Sequence, residues 1–372
     1  MTKKLNILLI TEYLPPQING IATRCSNLIK NFRKLGHTVY IAGPDNSPQT
    51  TISMFTIPNF LVNKDNKLCF LDIPSTTSII QLIPTLDIVH VFYPINFTSS
   101  ILFPLFKLNN IPVICSHHCE VSQINYFYKN YNKKMMYNLL KMYHLQFNHP
   151  VVSLNLVPSI TEEYKKFFDN LSIIPSGFDN KTFNHCGIDL IKKCSCKLLV
   201  YVGRLSPEKN CDKMLIFFEK LIQNPKFRKY KLLVIGDGPS KIELKNKKIS
   251  NVSFIGYVEH NKVSEYYKIA QAFITFSLTE SFGFTNIEAL ACATPIIYPK
   301  CDVFDTYYKK DFSDTCFDVN NYDSFEKAVK YTYKNTTVQK KAIEYCKDKN
   351  WKSATKKLIN IYCSEIKKKN IE

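Results

Sequence analysis

The sequence predicts an α/β protein of two doubly wound, Rossmann-like parallel sheets facing each other across a cleft. Three observations carry this. The 372 residues exceed the roughly 250 to 300 at which a single hydrophobic core usually stops growing. Short apolar runs alternate with helical patterns, as β-α-β units require. The alternation lapses in a polar stretch over 180–197 and then restarts, which places an interdomain connection there and a first domain over 1–185.

Each element follows from its residues. Leu5 to Ile10 is a continuous apolar run, the mark of a strand buried on both faces. Ile21, Cys25, Leu28, Phe32 and Leu35 then recur on one helical face, and Gly36 stands where a left-handed cap belongs. Val39 to Ala42 resumes as a strand. Asp87 to Phe92, Pro112 to Cys115, Leu154 to Val157 and Leu171 to Ile174 read as further strands, with a crossover helix over Ser100 to Leu108. Ser159 and Glu162 form a capping box that opens another helix, carrying Tyr164, Phe167 and Phe168. In the second half the strands are Leu198 to Val202, Leu232 to Ile235, Val252 to Ile255, Ala272 to Thr275 and Ile296 to Tyr298. Thr337 to Lys369 reads as helix, and its apolar face, Trp351, Ala354, Leu358, Ile361 and Tyr362, must pack on something.

Composition narrows the function classes. With 45% hydrophobic and 13% aromatic residues the chain is an ordinary globular one, not a disordered one. No uncharged apolar stretch reaches the ~18 residues of a membrane span, and the run before Glu12 is too brief for a signal peptide, so a cytoplasmic protein is expected. Thirteen cysteines without a leader read as reduced thiols. Cys194 with Cys196, and the cluster Cys115, His117, His118 and Cys119, lack a second half at zinc-finger spacing, so no metal is expected. The charge of +18 attracts anions, but the lysines spread from Lys3 to Lys369 rather than forming a stripe, and no nucleic-acid partner is expected.

Two loops could do chemistry. Val202 to Asn210 sets Arg204 and Lys209 where a strand turns into a helix, a place suited to neutralising a pyrophosphate. Glu280 to Glu288 follows the strand Ala272 to Thr275, with a helix beginning near Phe284, so that the amides of Gly283, Phe284 and Thr285 line a helix N-terminus between two carboxylates. One carboxylate can accept from sugar hydroxyls and the other from a ribose diol. Each feature taken singly is also ordinary surface chemistry.

Taken in order, Gly203-Arg204-Leu205 with Lys209, the turn Gly236-Asp237-Gly238-Pro239, and Glu280 to Glu288 around Phe282-Gly283 resemble the donor half of the retaining glycosyltransferases of family 4, which have the GT-B fold. The first half is similar to the same family through Pro15 to Gly20, Asp87 to His90, Ser116-His117-His118 and Ile174 to Asp179. The nearest subgroup is the sulfoquinovosyl-, mannosyl- and glucosyltransferases that act on lipids. The resemblance implies a second, nucleotide-sugar-binding domain over 186–348 and a helix over 349–372 that crosses back onto the first. It also implies that Arg204 and Lys209 hold the donor diphosphate, Glu288 bonds the ribose and Glu280 touches the donor sugar. Gly20 would approach the phosphates by its backbone, His118 would lie beside the transferred sugar, and the backbone around Tyr257 would read the base. For His118 a satisfied histidine at a strand end is the competing reading, whereas His37 and His90 are assigned to structure. Asn19-Gly20 stands where many members have two glycines, Ser176 where asparagine is commoner, and Ala293 in place of a frequent glycine.

The expected activity is hexosyl transfer with retention from a nucleotide-diphosphate sugar, UDP by analogy, to a lipid or glycan acceptor. No cofactor is expected beyond that donor, and no metal, because no Asp-x-Asp pair lies beside a first-domain strand. The alternatives are an epimerase or phosphorylase on a similar scaffold, or a non-catalytic sugar- or RNA-binding protein. Tyr126 to Phe147 interleaves aromatic residues with lysines, which suits a helix in an anionic membrane interface beside a lipid and equally a helix packed on its own domain. Asp45 to Asn66 and Ser116 to Tyr131 are expected to be acceptor-side loops.

Overall fold

A computed structural model describes residues 3–17, 20–59, 63–93, 102–117, 151–153, 171–278, 280 and 282–369. The chain forms two compact units, one of Met1–Gly177 with Trp351–Glu372 and one of Phe178–Asn350.

In the first unit, β1 (Asn6–Ile10), β2 (Thr38–Pro44), β3 (Ile52–Asn59), β4 (Asn63–Phe70), β5 (Ile88–Tyr93), β6 (Val113–His117), β7 (Val151–Ser153) and β8 (Leu171–Ile173) form one sheet in the order β4-β3-β2-β1-β5-β6-β7-β8. The order reverses beside β1, the doubly wound arrangement. β1 is buried almost throughout because helices cover both faces, and Ile7 and Leu9 pack on one side while Leu8 and Ile10 pack on the other. The sheet is not wholly parallel, since β3 and β4 pair antiparallel at its edge. Part of Asp45 to Asn66 is therefore strand and not loop. Ile52 and Met54 point inward between exposed Ser53 and Phe55, an alternation that the apolar Phe55 hides in the sequence. The expected strand at Leu154 to Val157, the helix after Ser159 and the segment Tyr126 to Phe147 lie outside the described residues.

The second unit follows the expected pattern, with β9 (Leu198–Val202), β10 (Lys231–Ile235), β11 (Val252–Gly256), β12 (Ala272–Ile274), β13 (Ile296–Pro299) and the two-residue β14 (Cys316–Phe317) in the wholly parallel order β11-β10-β9-β12-β13-β14. The strand order reverses between β9 and β12. Residues in the polar stretch pack within this unit: the Phe183 ring lies 6.2 Å from that of Tyr267, and the buried Lys193 ammonium donates to the carbonyls of Tyr267 and Lys268 at 2.5 and 2.9 Å. Burial brings the Lys193 pKa down to about 7.

The expected helix over 337–369 is two helices, Thr336–Cys346 and Trp351–Lys369. The break is where the chain returns to the first unit, and Phe178 bonds Lys349 there. Leu358, Ile359 and Tyr362 of the last helix join the core beneath the helix Gly20–Lys34. Tyr362 Oη lies 2.5 Å from His90 Nδ1, and His90 Nε2 meets Ser116 Oγ, so His90 is a buried structural residue. Arg24 donates to Ser176 Oγ at 2.6 Å and lies 5.9 Å over the Trp351 ring, tying down the points where the chain leaves and re-enters this unit.

Candidate active site

In the second unit the predicted residues gather at the carboxyl ends of the strands, where ligands bind in open α/β sheets. Beyond β9 the chain turns through Gly203 to Ser206 into a short turn of helix at Pro207–Lys209 and then the helix Cys211–Gln223. Tyr201 Oη donates to the Arg204 carbonyl at 2.9 Å, and Leu205 N–H donates to the Asp237 carbonyl at 2.9 Å. The turn after β10 interlocks with this one. A Cβ on Gly236, whose φ is +132°, would stand 1.9 Å from the Gly203 oxygen, and one on Gly238 would stand 2.3 Å from that of Leu205. Only glycine lets the two backbones approach so closely. Asp237 accepts from the Gly238 amide and pairs with Lys241 at 2.5 Å, which lowers its carboxyl pKa.

Lys209 and Glu280 come together, Nζ to Oε1 at 2.5 Å. Arg204 is exposed on the same loop as Lys209. Gly283, with φ of +72°, is the N-cap of the helix Phe284–Ala291, so the amides of the first turn are presented from Phe284 and Thr285 as expected. Phe282 packs edge-on against Phe284, and the helix is buried from Asn286 to Ala291. That burial includes Glu288, which is 4% exposed.

Glu288 does not share a site with Glu280 through any direct bond. Its Oε1 meets His260 Nε2 at 2.7 Å, in the stretch after β11. Burial raises the Glu288 pKa, and the bond to Glu288 raises that of His260. Tyr257, also beyond β11, is exposed. Sequence reasoning missed His260, because nothing in the spacing of Glu259-His260-Asn261 points to a residue 28 positions on.

In the first unit, Gly20 is the exposed first residue of the helix Gly20–Lys34. His118 lies outside the described residues, as does part of the Cys115 to Cys119 cluster. Among the described residues no three His, Cys, Asp or Glu side chains converge as metal ligands. A second missed residue is Glu12, just past the carboxyl end of β1, 5% exposed, with a pKa raised to about 8 by burial alone. Its signal was present, a carboxylate directly after a buried strand, but in the sequence it reads only as the end of an apolar run.

Comparison with known proteins agrees with this architecture. The family described as Glycosyltransferase Family 4 matches residues 18–181, and that described as Glycosyl transferases group 1 matches residues 191–349. The chain is 25% identical over 351 residues to the alpha-monoglucosyldiacylglycerol synthase of Acholeplasma laidlawii, covering 84% of each protein. It is 27% identical over 313 residues to the enzyme of that name from Streptococcus pneumoniae, covering 78% of this chain and 70% of the relative. Anabaena HepE in complex with UDP superposes with a TM-score of 0.74 at 12% identity, covering 97% of this chain and 100% of that one, a likeness of fold. Between them the two family matches take in most of both units, including the loops that carry Arg204, Lys209, Glu280 and Glu288, and the chain belongs to the family 4 glycosyltransferases of the GT-B fold.

Proposed function

We propose that the protein transfers a hexose, with retention and without a metal ion, from a UDP-sugar to a lipid acceptor. The observation that carries the donor half of this reading is the meeting of Lys209 and Glu280 at the reversal of strand order, beside the helix N-terminus at Gly283.

The chemistry follows from charge. When the sugar departs, negative charge grows on the nucleotide diphosphate, and preorganised cations and amides lower the barrier by meeting it. Arg204, Lys209 and the amides of Phe284 and Thr285 suit that task, a role a divalent ion would otherwise fill. Lys209 holds one oxygen of Glu280, which leaves the other to accept from a sugar hydroxyl. Glu288 accepts from the ribose diol, and the backbone at Tyr257 contacts the base. With no carboxylate assigned as nucleophile, retention proceeds by front-face attack, the departing phosphate taking the acceptor's proton. The resemblance assigns His118 a role beside the transferred sugar.

The lipid acceptor is supported by the names of the two relatives, both monoglucosyldiacylglycerol synthases. Such an acceptor places the working enzyme at a membrane surface. Among the described residues no helix is long and apolar enough to cross a membrane.

The test is thermal stabilisation by UDP-, GDP- and ADP-sugars, followed by transfer assays with diacylglycerol in vesicles. Stabilisation by a UDP-sugar that is lost in Glu288→Ala supports the reading. If no nucleotide sugar raises the melting temperature at millimolar concentration, it fails. A transfer rate abolished by EDTA would overturn metal independence, and His118→Ala should slow transfer far more than it weakens donor binding.

A further inference from the structure

Glu288 is held by one side chain. Among the described residues, His260 is the sole side chain bonded to it. The two come from different parts of the second unit, His260 from the stretch that enters the helix Val263–Ile269 and Glu288 from the helix packed against it. Glu288 is buried, whereas the His260 side chain is 61% exposed. The Phe183 ring lies 5.1 Å from the imidazole, and Asp179 adds negative charge there. On the carboxylate side stand the Tyr267 hydroxyl and the Cys292 thiol, both kept protonated by burial. Glu259 and Lys262, next to His260 in sequence, pair with each other at 3.2 Å. The ammonium groups of Lys193 and Lys268 also act on Cys292, but Lys193 donates to the carbonyls of Tyr267 and Lys268, Lys268 donates to Asn184, and neither bonds Glu288.

We propose that His260 is a positioning residue for the donor, holding Glu288 Oε1 so that Oε2 faces the ribose diol, and that its protonation tunes donor affinity. The inference rests on the donor reading above, since Glu288 must contact ribose for His260 to matter.

The physical case starts from the cost of burying a carboxylate. A protonated imidazole offsets that cost and makes a charge-assisted bond, about twice as strong as a neutral one. The His260 pKa is raised above its ordinary value by Glu288, so the cation persists above pH 6.5 and is lost as pH climbs further. Neutral imidazole still donates in one tautomer, but Glu288 is then held less firmly and its buried charge is uncompensated. Donor affinity therefore weakens on the alkaline side. At acid pH, protonation of Glu288, whose pKa burial raises, weakens it as well.

The experiment measures UDP-glucose binding by calorimetry, and donor KM and kcat, from pH 6 to 8.5. The diphosphate diester of UDP-glucose has no ionisation in that range. Wild type should weaken about 5-fold between pH 6.5 and 8.5. His260→Ala should raise donor KM about 10-fold near pH 7 with little change in kcat. His260→Gln places an amide donor near the imidazole Nε2 and should restore affinity to within about 3-fold while flattening the pH dependence. Wild-type affinity in His260→Ala, or an unchanged slope in His260→Gln, overturns the role of His260 and leaves the donor reading standing. If neither UDP-glucose nor any other nucleotide sugar binds the wild-type protein, both fall together.

Discussion

Lys209 Nζ and Glu280 Oε1 lie 2.5 Å apart although 71 residues separate them in sequence. The pairing follows from topology. Lys209 belongs to the turn after β9 and Glu280 to the turn after β12, and these strands are neighbours where the order of the sheet reverses. The two side chains are 22% and 18% exposed, so the pair is partly desolvated and each charge is aimed by the other. Lys209→Met should lower kcat/KM by about 10²- to 10³-fold, the usual cost of removing one group that meets transition-state charge. Steady-state kinetics checks this, and a fall of less than about 3-fold would remove Lys209 from the diphosphate site.

The interlocked turns make a stability prediction. Gly236→Ala sets a Cβ against the Gly203 oxygen and should destabilise the second unit by about 3 kcal/mol or more. Gly187 has φ of +74° but open space around it, so Gly187→Ala should cost only about 1 kcal/mol. Chemical denaturation of the two variants compares a steric clash with backbone strain alone.

Glu12 should make the first unit less stable as pH rises. Its pKa is near 8 when folded, against 4.5 for the ordinary side chain, so between those values the folded chain binds more protons than the unfolded one. The stability that Glu12 contributes is full below about pH 4.5 and declines up to about pH 8, by at most about 5 kcal/mol. Glu12→Gln should flatten that decline and raise the melting temperature at pH 8 more than at pH 5. Equal shifts at both pH values would show that Glu12 is ionised in the fold.

The last helix should be needed by the first unit. Leu358→Ala empties a fully buried site in the core shared with Leu28 and Phe32 and should cost about 3 kcal/mol. Tyr362→Phe should cost about 1 to 2 kcal/mol by depriving His90 Nδ1 of its partner. Hydrogen exchange should speed in β1 and β5, against which this helix packs, and leave β9 and β10 protected.

Much of the fold was legible because buried parallel strands must be continuously apolar, and the runs at β1, β5, β9, β10 and β12 contain little else. The strands missed were those that break this rule. β3 alternates buried with exposed side chains next to the edge strand β4, which was missed with it, and β7 and β14 are only three and two residues long. The donor loops were legible because glycine, cation and carboxylate recur there in a fixed order. His260 was not, because its importance comes from Glu288 and the sequence offers no term connecting them.

The order of residues settled by itself the two α/β units, the turns that end their strands and the residues those turns carry, since all of these depend on local periodicity and backbone conformation. Which charges meet was decided by the three-dimensional fold: Lys209 with Glu280, His260 with Glu288, and Glu12 with no countercharge among the described residues. Ion pairing depends on distance and dielectric, and neither exists until crossover helices bring remote strands side by side and packing excludes water.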